Sequence, residues 1–218
     1  RCPYQANART RALINSGEVE FLDVHLSHLT QALRYGFLGP MHWAIVEAAD
    51  ITPDGGIVLT SGVGAAPTFC AVAERILIEL NRCQPAALHG MHDIYSPADP
   101  PHRREIPIYR PSDRIGETLL RVDPAKIAGV VESEREDDGV VFDPPSDITR
   151  RIGWNVAEFL ARELRAGRIP PGFLPVQSGV GDVANSVLEA IGDHPEIPAF
   201  EMYTEVVQDA VVRLMMAG

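Results

Sequence analysis

The stretch FLPVQSGVGDVANSVLEAIG, residues 173–192, decides how the chain is read. An apolar run, Leu174–Gln177, meets the small residues Ser178, Gly179, Val180 and Gly181, and amphipathic text begins at once with Asp182. That order predicts a buried strand, a tight turn and a helix over Asp182–Ile191 with Gly192 as its stop. Glycines in such a turn let a ligand come close to the main chain. The helix start offers unpaired N–H donors to an anion or a developing oxyanion. In an open α/β sheet, ligands collect at the carboxyl ends of strands, where this turn falls. A GxG alone suits an ordinary strand-to-helix turn equally well.

Downstream, FEMYTEVVQDAVVRLMMAG (200–218) predicts a strand over Phe200–Thr204 and a helix over Val206–Ala217. Alternation places Glu201, Tyr203 and Glu205 on one face and Phe200, Met202 and Thr204 on the other. Glu205 then falls at the carboxyl end of its strand, beside the glycine turn. A carboxylate there can act as nucleophile or base, or stand as one solvated acid among many. Upstream, Ser146 or Asp147 caps a long helix running to Ala166 and closed by Gly167. The acidic, proline-containing stretch ESEREDDGVVFDPPSD (132–147) reads as a linker, placed at 136–147 between parts 1–135 and 148–218.

The first part alternates in the same way. Helices are expected over Pro3–Ser16, stopped by Gly17, and over His28–Tyr35, closed by Gly36. Strands are expected over Val19–Val24, His42–Ala48, Ile57–Thr60, Arg75–Leu80, Leu119–Val122 and Ala128–Glu132. DGGIVLTSGVGAAPTF (54–69) repeats the pattern of strand, glycine loop (Ser61, Gly62, Val63, Gly64) and short helix. Gln84–Pro111 is rich in proline and histidine, and suits either an ordered loop over a site or a plain surface excursion. The whole reads as an α/β fold with mostly parallel strands.

Composition narrows the function. The 218 residues carry a formal net charge of −11 from 19 basic and 30 acidic groups, which disfavours nucleic acid and anionic membrane as partners. Lys126 is the only lysine, read as a compositional bias toward arginine. Cys2, Cys70 and Cys83 match neither a zinc site nor a redox pair; Cys70 lies in apolar text and reads as core, and a reducing cytoplasm is expected. The uncharged stretch from Gly55 to Ala73 is broken by glycines and Pro67, so no membrane span is expected. His25 with His28, His89 with His92, and His102 complete no metal-ligand pattern. Arg103 and Arg104 could meet a phosphate but read as solvated loop residues. No signal peptide is expected at the start. The chain opens at Arg1 without an initiator methionine and stops at Gly218, in helix-like text at both ends. It is therefore expected to be an internal piece of a longer protein.

QSGVGDVANSVLEAI followed by YTEVVQD resembles the acetyl-CoA hydrolase/transferase family, which includes succinyl-CoA:acetate CoA-transferases. GEVEFLDVHLSHL (17–29), IVEAADITPDGGIVLTSGVG (45–64), HGMHDIYSPADPPHRREIPI (89–108) and DRIGETLLRVDPAKIAGVV (113–131) agree in the same order. The resemblance implies two CoA-transferase-type α/β domains with the active site between them. Residues 1–135 would be the C-terminal part of the first and 148–218 the N-terminal part of the second. It implies that Glu205, in the pair Thr204-Glu205, is the nucleophile, and that Gly179, Val180 and Gly181 help bind acyl-CoA. Ser61, Gly62, Val63 and Gly64 match a second loop facing the cleft, although Leu59 and Gly62 stand where proline and serine are expected. The acids around Asp137 and Asp138 replace a segment that is more basic in relatives. Coenzyme A is a substrate and no cofactor or metal is implied. The implied partners are acyl-CoA and small carboxylates, with a homodimer at full length. Two other classes compete: a non-catalytic piece that only binds or assembles, and a nucleotide-binding α/β module. The latter lacks a phosphate-binding lysine and a ribose-binding acid.

Overall fold

The computed structural model of the protein describes residues 8–137 and 142–217. The chain divides into two compact units. One comprises the described residues up to Pro107 together with Arg114–Asp137; the other comprises Ile108–Asp113 and the described residues from Phe142 onward.

The first unit is built on its apolar runs. Helices α1 (Ala8–Asn15) and α2 (Leu26–Arg34) precede strand β1 (Trp43–Ile51), which turns back into β2 (Ile57–Leu59). Helix α3 (Ala66–Val72) then leads to β3 (Arg75–Asn81), and β4 (Ile127–Ser133) follows a long excursion. The sheet order is β2-β1-β3-β4. The β1–β2 pair is antiparallel, whereas β1–β3 and β3–β4 are parallel. The open sheet is thus mostly parallel, as expected. In-register pairing of Ala44, Val46 and Ala48 with Ile76, Ile78 and Leu80 puts all six on one buried face. Cys70 and Ala73 cover them, so Cys70 is a core residue, and burial pushes its thiol pKa up. The opposite face is only partly covered: Trp43 is 50% and Ile45 72% exposed, while Glu47, Leu77 and Glu79 are half-buried.

Two expected strands do not form. Phe21 is an isolated bridge residue, and Leu120 pairs with the rest only through Ile57. Alternation supplied the pattern in both, but each makes a single bridge rather than a ladder. Between β3 and β4 the chain makes no regular element beyond short 3₁₀ turns, yet it is pinned. Arg34 makes a bidentate pair with Asp99, at 2.7 and 2.5 Å. Asp93 accepts from the N–H groups of Ile115 and Gly116. A Cβ on Gly116 would lie 2.3 Å from Ile94 O, so glycine permits that close approach.

The second unit is led by α4 (Asp147–Arg165), whose cap is Ser146: its Oγ accepts the Thr149 N–H at 3.2 Å. Gly153, Ala157 and Ala161 form its buried stripe. Helix α5 (Asp182–Asp193) comes close against that stripe, and α6 (Asp209–Ala217) packs on α5. Gly192 does not stop α5, which runs one residue beyond it; its bare Cα instead admits Leu214 of α6. The expected strands at Leu174–Gln177 and Phe200–Thr204 are extended segments joined by one parallel bridge, Val176 to Met202. Phe173 opens the first of them in left-handed backbone (φ 61°), its buried ring against Phe200 at 5.7 Å.

Candidate active site

The site is assembled where those two extended segments end. Val176 N–H donates to Glu201 O at 2.9 Å and Tyr203 N–H to Val176 O at 3.1 Å, so the chains run side by side into their loops. Burial follows the expected alternation: Glu201, Tyr203 and Glu205 are exposed, while Phe200, Met202 and Thr204 are partly covered. Thr204 turns its hydroxyl to Ser178. Ser178 N–H donates to Thr204 Oγ1 at 3.4 Å, and Thr204 Oγ1 lies 3.2 Å from Ser178 O and 3.1 Å from Val206 O as donor.

A second tie lies three residues beyond Glu205. Gln208, only 5% exposed, donates through Nε2 to Gly179 O at 2.7 Å and accepts the Gly181 N–H on Oε1 at 3.3 Å. The expected helix start at Val206 gives way to Asp209, because Gln208 turns back to the glycine turn while its own carbonyl accepts the first N–H of α6, from Val211. Residues 205–207 therefore form a short loop held at both ends. Glu205 lies one residue, about 3.8 Å of Cα travel, from Thr204. It makes no ion pair with any described residue.

The glycine turn has its own logic. Gly181, the N-cap of α5, sits at φ 129°, a region that favours glycine. Gly179 is not in that region, and a Cβ built on it meets nothing within 4 Å, so the space beside it is open. With the Gly181 N–H taken by Gln208, no described residue accepts the N–H groups of Gly179 and Val180. Those two, with the first-turn N–H groups of α5, are the available anion donors. A cavity of about 440 Å³ is lined by Ile191, Phe200, Met202, Val211 and Leu214, and neither the glycine turn nor the Glu205 loop contributes to its wall.

Ser61, Gly62, Val63 and Gly64 lie in the first unit, between β2 and α3, and are largely exposed. Val63 and Gly64 help line a cavity of about 270 Å³ with Thr30, Arg34, Thr68 and Asp93. His92 anchors this region through Nε2 to Thr60 O at 2.9 Å, leaving a buried Nδ1 with no partner among the described residues. Of the other histidines, His89 pairs with Asp50 at 2.9 Å, His25 stands edge-on to His28, and His194 Nε2 lies 3.3 Å from Glu158. Arg103 reaches Gln31. Among the described residues no group of three metal-ligating side chains comes together, and no helix is long and apolar enough to cross a membrane. Asp138 lies outside the described residues, as do Arg1–Asn7.

Sequence reasoning singled out Glu205 and the glycine turn, and it gave no sign of the contact that Gln208 makes with that turn. The two bonds of that contact span 27 and 29 residues, which no local spacing announces.

Known proteins bear on this arrangement. The fold is that of the CoA-transferases: 4-hydroxybutyrate CoA-transferase from Porphyromonas gingivalis superposes over 100% of this chain and 45% of its own, with a TM-score of 0.63 at 21% identity. RipA from Yersinia pestis superposes over 99% of this chain and 42% of its own, with a TM-score of 0.62 at 18% identity. Residues 1–138 match the acetyl-CoA hydrolase/transferase N-terminal domain, and the chain belongs to that enzyme family. Among its relatives, propanoyl-CoA:succinate CoA transferase of Escherichia coli is 43% identical over all of this chain and 44% of its own length. Succinyl-CoA:acetate CoA-transferase of Clostridium kluyveri is 37% identical over all of this chain and 40% of its own. Acetyl-CoA hydrolase of Schizosaccharomyces pombe is 38% identical over 98% of this chain and 42% of its own. This chain thus spans less than half the length of these relatives.

Proposed function

We propose that the whole protein moves coenzyme A between an acyl-CoA, succinyl-CoA or similar, and a short carboxylate such as acetate, with Glu205 as the covalent nucleophile. The observation that carries this reading is the double tie of the Glu205 loop to the glycine turn, through Thr204 on one side and Gln208 on the other. A carboxylate is already ionised at neutral pH, so it needs position and oxyanion donors rather than a general base.

A Glu205 carboxylate oxygen attacks the thioester carbonyl, and the negative charge gathers on that carbonyl's oxygen. The C–S bond breaks, CoA leaves as thiolate, and a mixed anhydride remains. The thiolate then attacks the glutamyl carbonyl. Breaking the anhydride C–O bond releases the donor's carboxylate and leaves a glutamyl-CoA thioester. An acceptor carboxylate reverses both steps and departs as the new acyl-CoA, regenerating Glu205. N–H groups of Gly179 and Val180 are suited to meet the oxyanion, and no metal or further cofactor is required.

Two units split near Asp137 suit the reading of 1–135 and 148–218 as parts of successive CoA-transferase domains, with Ser61, Gly62, Val63 and Gly64 brought to the cleft in the whole enzyme. A cytoplasmic homodimer completes the proposal, supported by free Cys70 and Cys83 for the compartment and by the family resemblance for the dimer. The alternative is acetyl-CoA hydrolysis, in which water takes the acceptor's place. It is favoured by the exposure of Glu205 here and by the activity named for the S. pombe relative. A steady-state assay of the full-length protein, with and without acetate, separates the two. Acyl transfer that requires acetate supports the transferase, and acetate-independent release of CoA supports the hydrolase. In either case Glu205→Ala abolishes turnover and Glu201→Gln is mild; wild-type turnover by Glu205→Ala overturns the reading.

A further inference from the structure

The side chain of Gln208 is buried, has both polar ends occupied, and spends them on the main chain of one turn. This amide binds neither its own helix nor its sequence neighbours, and its orientation is fixed by its partners. A flipped amide would set NH₂ against the Gly181 N–H and oxygen against Gly179 O. Peptide planarity then has a consequence. In a trans peptide the C=O and the following N–H point in opposite directions. With Gly179 O held toward Gln208 at 2.7 Å, the Val180 N–H is held pointing away from Gln208, and it has no acceptor among the described residues.

We infer that Gln208 is a positioning residue of the reaction, one that sets the Gly179–Val180 peptide so that the Val180 N–H serves as an oxyanion donor in register with Glu205. The inference rests on the function proposed above and adds to it a residue that touches neither substrate nor nucleophile. Because Gln208 closes the loop that carries Glu205, its side chain joins donor and nucleophile in one frame, beside the Thr204 tie and the Ser178 hydroxyl, which also donates to Gly179 O at 3.2 Å. The oxyanion that it serves belongs to an acyl thioester or anhydride carbonyl, so the residue acts on transfer and hydrolysis alike.

The test uses the full-length protein with Gln208→Glu and Gln208→Met, alongside Glu205→Ala. In Gln208→Glu the Gly181 N–H keeps its acceptor, but a carboxylate oxygen faces Gly179 O and turns the peptide away. The expected result is a kcat lower by about 100-fold, the size of losing one oxyanion donor, with KM for acyl-CoA within about threefold and the melting temperature little changed. The pH profile adds a reading that a merely structural role would not give. As the new carboxyl takes up a proton it can donate to Gly179 O again, so the ratio of variant to wild-type kcat rises toward acid. Gln208→Met, which loses both bonds, shows the same kcat loss without the acid recovery. Near-wild-type kcat in both variants overturns the inference. So does a parallel loss of kcat, CoA affinity and folding, or failure of both variants to fold, since either assigns Gln208 to the fold alone. If instead Glu205→Ala keeps full activity, it is the proposed function that fails, and the Gln208 results are not needed to see it.

Discussion

Thr204 and Ser178, 26 residues apart, meet through one hydroxyl, which accepts the Ser178 N–H at 3.4 Å and lies as donor 3.2 Å from Ser178 O. That contact fixes the residue immediately before Glu205 to the first residue of the glycine turn. In a protein whose proposed chemistry begins with an unassisted carboxylate, such ties replace the base that a serine or cysteine nucleophile would need.

Replacing Thr204 by valine removes the hydroxyl and keeps the shape. A part-buried hydrogen bond contributes about 1 kcal/mol, so kcat in the full-length protein falls roughly fivefold, while Thr204→Ser stays close to wild type. Steady-state kinetics on the two variants checks this. Equal kcat for valine and serine would remove the tie from the mechanism.

Gly181 and Gly179 separate strain from access. Alanine at 181 must adopt φ near 129° and costs about 1–3 kcal/mol of stability, read by chemical denaturation. Alanine at 179 meets no atom within 4 Å, so stability is retained, yet its methyl occupies the open side of the turn. There kcat/KM for acyl-CoA drops with an unchanged melting temperature.

Helix packing supplies a control away from the chemistry. A Cβ on Gly153 would lie 2.3 Å from Ser186 O, main chain that cannot swing aside. Gly153→Ala therefore destabilises the second unit by about 1–3 kcal/mol, seen as a lowered denaturation midpoint. Gly192→Ala meets only the end of Leu214 and is milder.

These particulars show what was legible in the residues and what was not. Burial runs made β1, β3 and α4 readable, and the alternation from Phe200 to Glu205 is reproduced residue by residue in exposure. Val19–Val24 and Leu119–Val122 carried the same local signal, but a strand needs a run of cross-strand pairs, and tertiary packing gave each only a single bridge. Helix α6 starts at Asp209 rather than Val206, and the residue before it, Gln208, commits its side chain to the glycine turn. Glu205 and the turn were marked by residue type and position, whereas the clamp between them depends on a contact only the folded chain reveals.

Acid behaviour follows from Asp54, whose pKa is lowered from 3.8 to about 2 by the Thr52 hydroxyl first and the Arg121 guanidinium second. A depressed folded pKa adds stability above the unfolded value and loses it as pH falls from about 3.8 to about 2. The melting temperature of Asp54→Asn lies below wild type at neutral pH, and the two converge as pH drops through that window. A gap that persists at the acid end would detach the effect from this carboxylate.

The central claim is that Glu205 carries the acyl-CoA bond. Full-length protein incubated with acyl-CoA and then reduced with borohydride should yield one modified peptide, with the reduced carboxyl at residue 205. Modification at another carboxylate such as Glu201, or an unmodified Glu205 in enzyme that is turning over, would contradict it.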